Sequence, residues 1–377
     1  MISNNKDKLS IYIHIPFCER KCLYCDFVSY TGMEDKVEAY FDALMYEARY
    51  YSTSDPISSV YIGGGTPSCV DETYIVKLME CLGRNYTFEK DCEISIESNP
   101  NSLTRKKAHA YRSSGINRIS MGVQSVSDDL LKRIGRLHTH ADTLRAVDDI
   151  IAAGFDNFNL DLMFSLPGQS LRDFSDALDF ASESGAVHIS CYSLTLEEDT
   201  PINQLYKDGI YHEDDELDRQ MYAMASEKLF SRGFYRYEIS NFARLGYECR
   251  HNLYCWDFQD YLGLGVAAHS FFDDTRFVNT ASVDDYIKNI YDHSHDQVVM
   301  EESREELMGD YLMLALRKTT GINTEDFRKR FGEDFDEKYR DITEGFIEDG
   351  LLFRNGPYVA LTEKGFDYAN VVMREYL

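Results

Sequence analysis

Basic residues are scarce in this chain: 39 lysines and arginines stand against 65 aspartates and glutamates, a formal net charge of −26 over 377 residues. A nucleic-acid backbone needs clustered cations, so no nucleic-acid partner is expected. The excess acid reads as solubility. Long apolar runs are missing too. No stretch approaches the roughly 20 residues that cross a bilayer, and no charged start leads into an apolar run. Neither an integral membrane protein nor a signal peptide is expected; peripheral membrane association stays open. Nine cysteines in a chain of this length do not make a disulfide scaffold, so reduced thiols and a cytoplasmic setting are expected. Apolar material is ordinary in amount, 44%, enough for a large domain plus a small one.

Three of the cysteines stand together in Phe17-Cys18-Glu19-Arg20-Lys21-Cys22-Leu23-Tyr24-Cys25-Asp26-Phe27. A loop so spaced can turn three thiolates toward one point. Thiolates are soft ligands that suit iron–sulfur clusters, zinc or copper(I). On a cubane, three ligands leave one iron open to bind a substrate or cofactor. The competing reading is a zinc knot. Structural zinc takes four ligands, usually as two close pairs, and the nearest fourth, His14, lies inside an alternating run that reads as a strand.

Through the first half of the chain strand-like runs alternate with helix-like runs. Strands are expected at 10–15, 58–62, 92–96, 116–121, 157–163 and 187–194. Helices are expected at 34–51, with Val37, Phe41, Leu44 and Ala48 at helical spacing, at 104–112, 139–153 and 171–184, with a further one at 213–232. Such alternation implies a parallel sheet. Polar residues and glycines fall just past the strand ends: the cysteine loop, Gly63-Gly64-Gly65-Thr66-Pro67, Glu97 with Asn99, and Gly122 with Gln124; Asp161 lies near the end of the fifth strand. In strand–helix barrels, chemistry collects on that rim. The three glycines permit a close approach of backbone to ligand; a tight turn is the competing reading. Glu97, Gln124, Arg136 and Asp161 supply carboxylates and a cation, or are solvated rim residues. His138 and His140 are expected at the surface.

The cysteine spacing, with aromatic Tyr24 before the third cysteine, resembles the radical S-adenosylmethionine (SAM) superfamily. That resemblance implies a [4Fe-4S] cluster on Cys18, Cys22 and Cys25, SAM chelated to the open iron, and its reductive cleavage to a 5′-deoxyadenosyl radical. The acidic charge speaks against the nucleic-acid-modifying members. Further runs narrow the resemblance: His14-Ile15-Pro16-Phe17-Cys18, Glu97-Ser98-Asn99-Pro100, Gly122-Val123-Gln124-Ser125, Arg136-Leu137-His138, and Asp161-Leu162-Met163 through Leu166-Pro167-Gly168-Gln169. They are similar to the oxygen-independent coproporphyrinogen III oxidase group of porphyrin biosynthesis, which includes the HemW-type heme chaperones. Carried over, the resemblance puts Tyr12, Tyr24, Gly64, Gly65, Thr66, Glu97, Gln124, Arg136 and Asp161 around SAM. The true oxidase has a fourth cysteine where this chain has Phe27, and a longer segment before its first strand. Both departures favour the chaperone branch, with heme and heme-accepting apoproteins as partners, over the decarboxylating enzyme.

The stretch Cys249-Arg250-His251-Asn252-Leu253-Tyr254-Cys255-Trp256 is similar to a HemW His-Asn-x-x-Tyr-Trp motif, with Cys255 in place of tyrosine. His251 or Cys255 could ligate heme iron, and Tyr254 and Trp256 could stack on the macrocycle. A packed loop closing the barrel is the competing reading, and His269 has the same ambiguity. From about residue 301 the alternation stops. Helices at 304–316, 324–331 and 336–349, a hairpin over 351–361 turning at Asn355-Gly356, and a last helix capped by Thr362 suggest a winged-helix-like lid or docking module. The expected fold is α/β: a partial (β/α)6-type radical SAM barrel over 1–200, a barrel-closing extension over 201–300, and a mostly helical winged-helix-like domain over 301–377.

Overall fold

The computed structural model describes residues 9–291, 298–300 and 302–377. The expected start of the C-terminal module at residue 301, and the part of the core expected over 1–8, lie outside the described residues.

Six parallel strands form the centre: β1 (Leu9–Ile15), β2 (Ile57–Gly64), β3 (Phe88–Ser98), β4 (Arg118–Gln124), β5 (Phe158–Phe164) and β6 (His188–Ser193). They neighbour one another in sequence order. Each matches an expected strand, because each carries the same two-residue alternation. The outward positions are aliphatic and fully buried: Ile11 and Ile13, Val60 and Ile62, Ile96, Ile119 and Met121, Leu160 and Leu162, Ile189. The inward positions are polar: Tyr61, Glu97, Arg118, Ser120, Asn159, Asp161, His188 and Ser190 all line one lumen. A sheet curled around such a face encloses a chamber rather than a dry core.

The outward face is covered by α1 (Val37–Tyr50), α2 (Glu72–Asn85), α3 (Arg105–Ser113), α4 (Asp128–Arg133), α5 (His140–Ala152) and α6 (Leu171–Glu183). Helices α5 and α6 open on capping boxes, Thr139 with Asp142 and Ser170 with Asp173. Helix α2 is absent from the sequence reading. Its signals are Asp71, whose side chain caps Thr73 N, and a buried face of Ile75, Leu78, Met79 and Leu82.

The segment after β6 joins the same sheet at both edges. Past α7 (Pro201–Lys207) and α8 (Asp215–Ser231), β7 (Tyr235–Arg236) and β8 (Asn241–Ala243) extend the β6 edge in antiparallel fashion. After α9 (Arg250–Trp256), β9 (Asp260–Leu264) lies parallel to β1, followed outward by β10 (His269–Phe272), β11 (Thr275–Val278) and, beyond α10 (Val283–Tyr291), β12 (Val298–Met300). The β1–β9 seam is tied by buried Glu47 of α1. It accepts hydrogen bonds from Gly265 N (2.8 Å), Asn279 Nδ2 (2.7 Å) and Tyr286 Oη (2.5 Å).

The C-terminal module contains α11 (Arg304–Arg317), β13 (Ile322–Asn323), α12 (Thr324–Phe331), α13 (Phe335–Glu348), β14 (Leu352–Asn355), β15 (Tyr358–Leu361), α14 (Glu363–Asp367) and α15 (Ala369–Arg374). The expected hairpin is β14–β15. Asn355 pairs with Tyr358, so its turn is centred on Gly356-Pro357, one residue later than expected. Strand β13 adds to β15 and makes a three-stranded antiparallel sheet, the wing. Thr362 caps α14 as expected, but the single last helix is two short ones that meet at Tyr368.

Candidate functional site

The cysteine loop leaves β1 and is pinned at several points. Cys18 N donates to Tyr30 O (2.9 Å), Tyr30 N to Pro16 O (2.7 Å) and Leu23 N to Ile134 O (3.1 Å). Cys18, Cys22 and Cys25 are free, partly exposed, and together line the mouth of the lumen, a cavity of about 470 Å³. Among the described residues, no three His, Cys, Asp or Glu side chains converge as a single ion would require. Three thiols set around a cavity mouth fit a cubane, whose irons occupy separate corners. The imidazole proposed as a fourth zinc ligand is committed elsewhere: His14 Nε2 bonds Val28 O (2.8 Å) and Nδ1 bonds Tyr12 Oη (3.1 Å). Burial pushes the thiols of Cys18 and Cys25 up.

The Gly63–Gly65 run meets the cysteine loop edge-on. A Cβ on Gly65 would lie 2.7 Å from Phe17 O. Gly64 has φ +111°, and a Cβ there would lie 2.7 Å from the His14 ring. The N–H groups of the run are spent inside the protein: Gly64 N on Glu97 Oε2 (3.2 Å), Gly65 N on Ile15 O (2.8 Å) and Thr66 N on Phe17 O (2.8 Å). What the run can offer a ligand is therefore carbonyl oxygen, the acceptor that an ammonium group needs.

Arg136 is the cation at the mouth. Its Nη2 donates to Asn99 Oδ1 and Gly122 O, both at 2.6 Å, and Nη1 lies 3.6 Å from Cys22 Sγ. Asn99 in turn donates to Thr66 Oγ1 (3.0 Å), which sits 3.4 Å from Cys18 Sγ. A register shift between Gly122 and Gln124, with left-handed backbone at Gln124 (φ +63°), places Gln124 on the lumen wall. Gly122 is tight: a Cβ there would lie 2.9 Å from Gln124 Nε2 and 3.0 Å from Arg136 Nη2. Gly122→Ala should therefore push the guanidinium off its carbonyl. SAM binding by the reconstituted protein, measured by equilibrium dialysis, should weaken by about tenfold, the equivalent of one charge-assisted hydrogen bond.

Glu97 accepts from Tyr61 Oη (2.9 Å) as well as Gly64 N. Burial, and then the charge of Asp161, push its carboxyl up to about 7. The folded state thus holds a proton that the unfolded chain releases near 4.5. This favours folding at low pH and is lost as pH rises through 7. Urea unfolding of ligand-free protein should show stability falling between pH 5 and 8, and Glu97→Gln should remove roughly 1–3 kcal/mol of that fall.

Of the residues expected around SAM, Tyr24, Gly64, Gly65, Thr66, Glu97, Gln124, Arg136 and Asp161 all line the lumen. Tyr12 does not. It lines a second cavity of about 500 Å³ on the β1–β9 side, with His14, Phe27, Val28, His251, Cys255, Tyr261 and His269; Gly64 and Glu97 border both chambers. The Cys249–Trp256 stretch is not a loop but helix α9, whose N-terminus is held by Glu93 of β3 through Arg250 N and His251 N, both at 3.3 Å. Four residues apart on one helical face, His251 and Cys255 enter the second cavity together. Tyr254 and Trp256 line neither chamber. The Arg317 guanidinium stacks 4.4 Å from the Trp256 ring centre. His138, expected at the surface, is 3% exposed and bonds Val123 O through Nε2 (3.1 Å).

The tautomer of His251 follows from its neighbours. Ser59 Oγ gives its one proton to Ser10 Oγ (2.8 Å), so His251 Nδ1, 2.9 Å away, must donate to Ser59. Nε2 is left with its lone pair. Burial and then Arg118 hold the imidazole down to about 3, hence neutral. Burial pushes the Cys255 thiol up to about 12.

Comparison with known proteins follows the same geometry. The Radical SAM superfamily matches residues 12–181, and the HemN C-terminal domain matches residues 303–368. The heme chaperone HemW of Bacillus subtilis (strain 168) is 36% identical over 98% of this chain and 99% of its own length. The chain belongs to the HemW family. The heme chaperone HemW of Lactococcus lactis subsp. lactis (strain IL1403) is 31% identical over 98% of this chain and 97% of its own. The radical SAM fold is shared with coproporphyrinogen III oxidase (HemN) from Escherichia coli, at TM-score 0.85 and 22% identity over 98% of this chain and 90% of that one. Radical SAM membership implies a [4Fe-4S] cluster and SAM. Among the described residues no helix is long and apolar enough to cross a membrane.

Proposed function

We propose that this chain is a heme chaperone. It holds a [4Fe-4S] cluster on Cys18, Cys22 and Cys25, binds SAM at the lumen mouth, and carries heme in the second cavity for delivery to acceptor apoproteins. When bound, the cluster supplies one-electron chemistry and an iron coordination site for SAM. The residues' own work is positional. Arg136, held by Asn99 and Gly122, offers a cation to a carboxylate, the Gly64–Thr66 backbone offers carbonyl oxygens, and Glu97 and Asp161 offer acceptors to hydroxyl or ammonium groups.

The observation that carries the heme reading is His251. It is a neutral imidazole with Nδ1 fixed by Ser59, and its ring lines a cavity beside the cluster chamber. Metal-ligating histidines are commonly oriented in this way through the other ring nitrogen. Phe27 supports a carrier over the decarboxylating enzyme. It occupies the place of the oxidase group's fourth cysteine and stands 66% exposed where the two cavities meet. Under strict anaerobiosis with reductant, SAM and coproporphyrinogen III, the protein should form no protoporphyrinogen IX by product chromatography. Multiple turnovers would reverse the reading.

A further inference from the structure

We propose that Tyr61 positions the His251 ring for heme and, through Glu97, makes heme bind more tightly when SAM occupies the lumen. The inference rests on the cofactor placement proposed above. Tyr61 is an inward residue of β2 and lines the cluster chamber, whereas His251 lines the second cavity. Their rings nonetheless stack across the partition, with planes 27° apart and centroids 5.2 Å apart. Residues two apart on a strand share a face, so Ser59 and Tyr61 meet His251 together. Ser59 holds the Nδ1 edge at 2.9 Å, and Tyr61 covers a ring face. Two neighbouring positions of one strand thus set both the rotation and the tilt of the imidazole.

The hydroxyl of Tyr61 belongs to the other site. Its Oη donates to Glu97 Oε1 (2.9 Å), and Glu97 borders both chambers. Tyr12, opposite Tyr61 on the β1–β2 ladder, lies nearly parallel to it (20°, centroids 6.4 Å apart), so Tyr61 is flanked by two rings of the second cavity. A carboxylate has about four acceptor positions. Tyr61 Oη and Gly64 N fill two of them, which leaves acceptors for the hydroxyl or ammonium groups of a lumen ligand. A ligand donor on Glu97 fixes the carboxylate, the carboxylate holds Oη, and Oη holds the ring on which His251 stacks. Heme then meets an imidazole that is already oriented, and its binding costs less ordering entropy. Linkage requires the converse as well: bound heme must tighten SAM by the same factor.

The test uses anaerobically reconstituted protein with its cluster oxidised, so that SAM binds without being cleaved. Ferric heme is titrated with and without saturating SAM at the Soret band, and SAM with and without heme by equilibrium dialysis. Wild type should bind heme about fivefold more tightly with SAM present, and SAM more tightly by the same factor with heme present. Tyr61→Phe keeps the stacked ring and removes Oη. Both ratios should fall to about one in that variant, while the imidazole-type Soret band remains. Phe27→Ala changes the exposed cluster-loop residue that also borders both chambers. It should keep the wild-type ratios, which keeps the test intact if the tyrosine variant does not fold. Heme affinity that is equal or weaker with SAM, coupling that survives Tyr61→Phe, or coupling lost in Phe27→Ala would each overturn the inference and leave the heme site standing. A wild-type protein that binds no heme, or a heme spectrum unchanged in His251→Ala, would overturn the placement of heme, and this inference with it.

Discussion

Cys22→Ser protein, reconstituted anaerobically, should keep almost none of the roughly four irons per chain expected of wild type. The expectation follows from how little else is present to hold a cubane. Cys18 and Cys25 remain, but two thiolates leave half the cluster's irons without a protein ligand. His14, the histidine nearest to the loop in sequence, has both ring nitrogens bonded, to Val28 O and Tyr12 Oη. Cys69 is the nearest reserve, for its thiol and that of Cys18 interact, but it is bonded to Phe17 O (3.3 Å) and burial pushes it up to about 12. Iron and acid-labile sulfide analysis, with the visible spectrum, reads the result. Full iron retention in this variant would remove the cluster assignment.

His251→Ala should abolish most heme binding and shift the Soret band, while the cluster content stays at the wild-type level. On the proposed reading, the axial bond would be the largest directed interaction available to heme in the second cavity, and Ser59 holds the His251 ring for it. Cys255→Ser is the informative partner, because it lines the same cavity. A thiolate ligand needs the proton removed from a thiol that burial holds near 12, whereas His251 is already neutral. The serine variant should therefore bind heme with nearly wild-type affinity. A thiolate-type spectrum lost on Cys255→Ser would instead make Cys255 the ligand. Wild-type binding in both variants would return α9 to a packing role.

The six central strands were legible because each carries an aliphatic outward face that only a helix-covered sheet explains. The rim residues were legible as polar residues and glycines in or just past the C-terminal parts of those strands, Gly64, Glu97 and Gln124 lying in the last two positions of β2, β3 and β4. Other features depend on contacts distant in the chain. Helix α9, short and rich in polar and aromatic residues, has its N-terminus satisfied by Glu93, more than 150 positions earlier, so its sequence reads as a loop. The placement of Tyr12 in the second cavity, with Gly64 and Glu97 but apart from the other expected SAM residues, depends on β9 closing against β1, a pairing across some 250 positions. Trp256 falls on a different helical face from His251 and Cys255, which only the helix reveals. Arg118 did leave a signal: an arginine in a strand run at the same parity as Gly122.

The most direct test of the central claim is a heme titration of the anaerobically reconstituted protein, followed by mixing with a heme-free acceptor protein. The account predicts saturable binding at one heme per chain, an imidazole-type Soret band that depends on His251, and loss of that band as the acceptor gains its own. Heme absorption that never saturates, or a saturated complex that keeps its heme in the presence of excess acceptor, would contradict it.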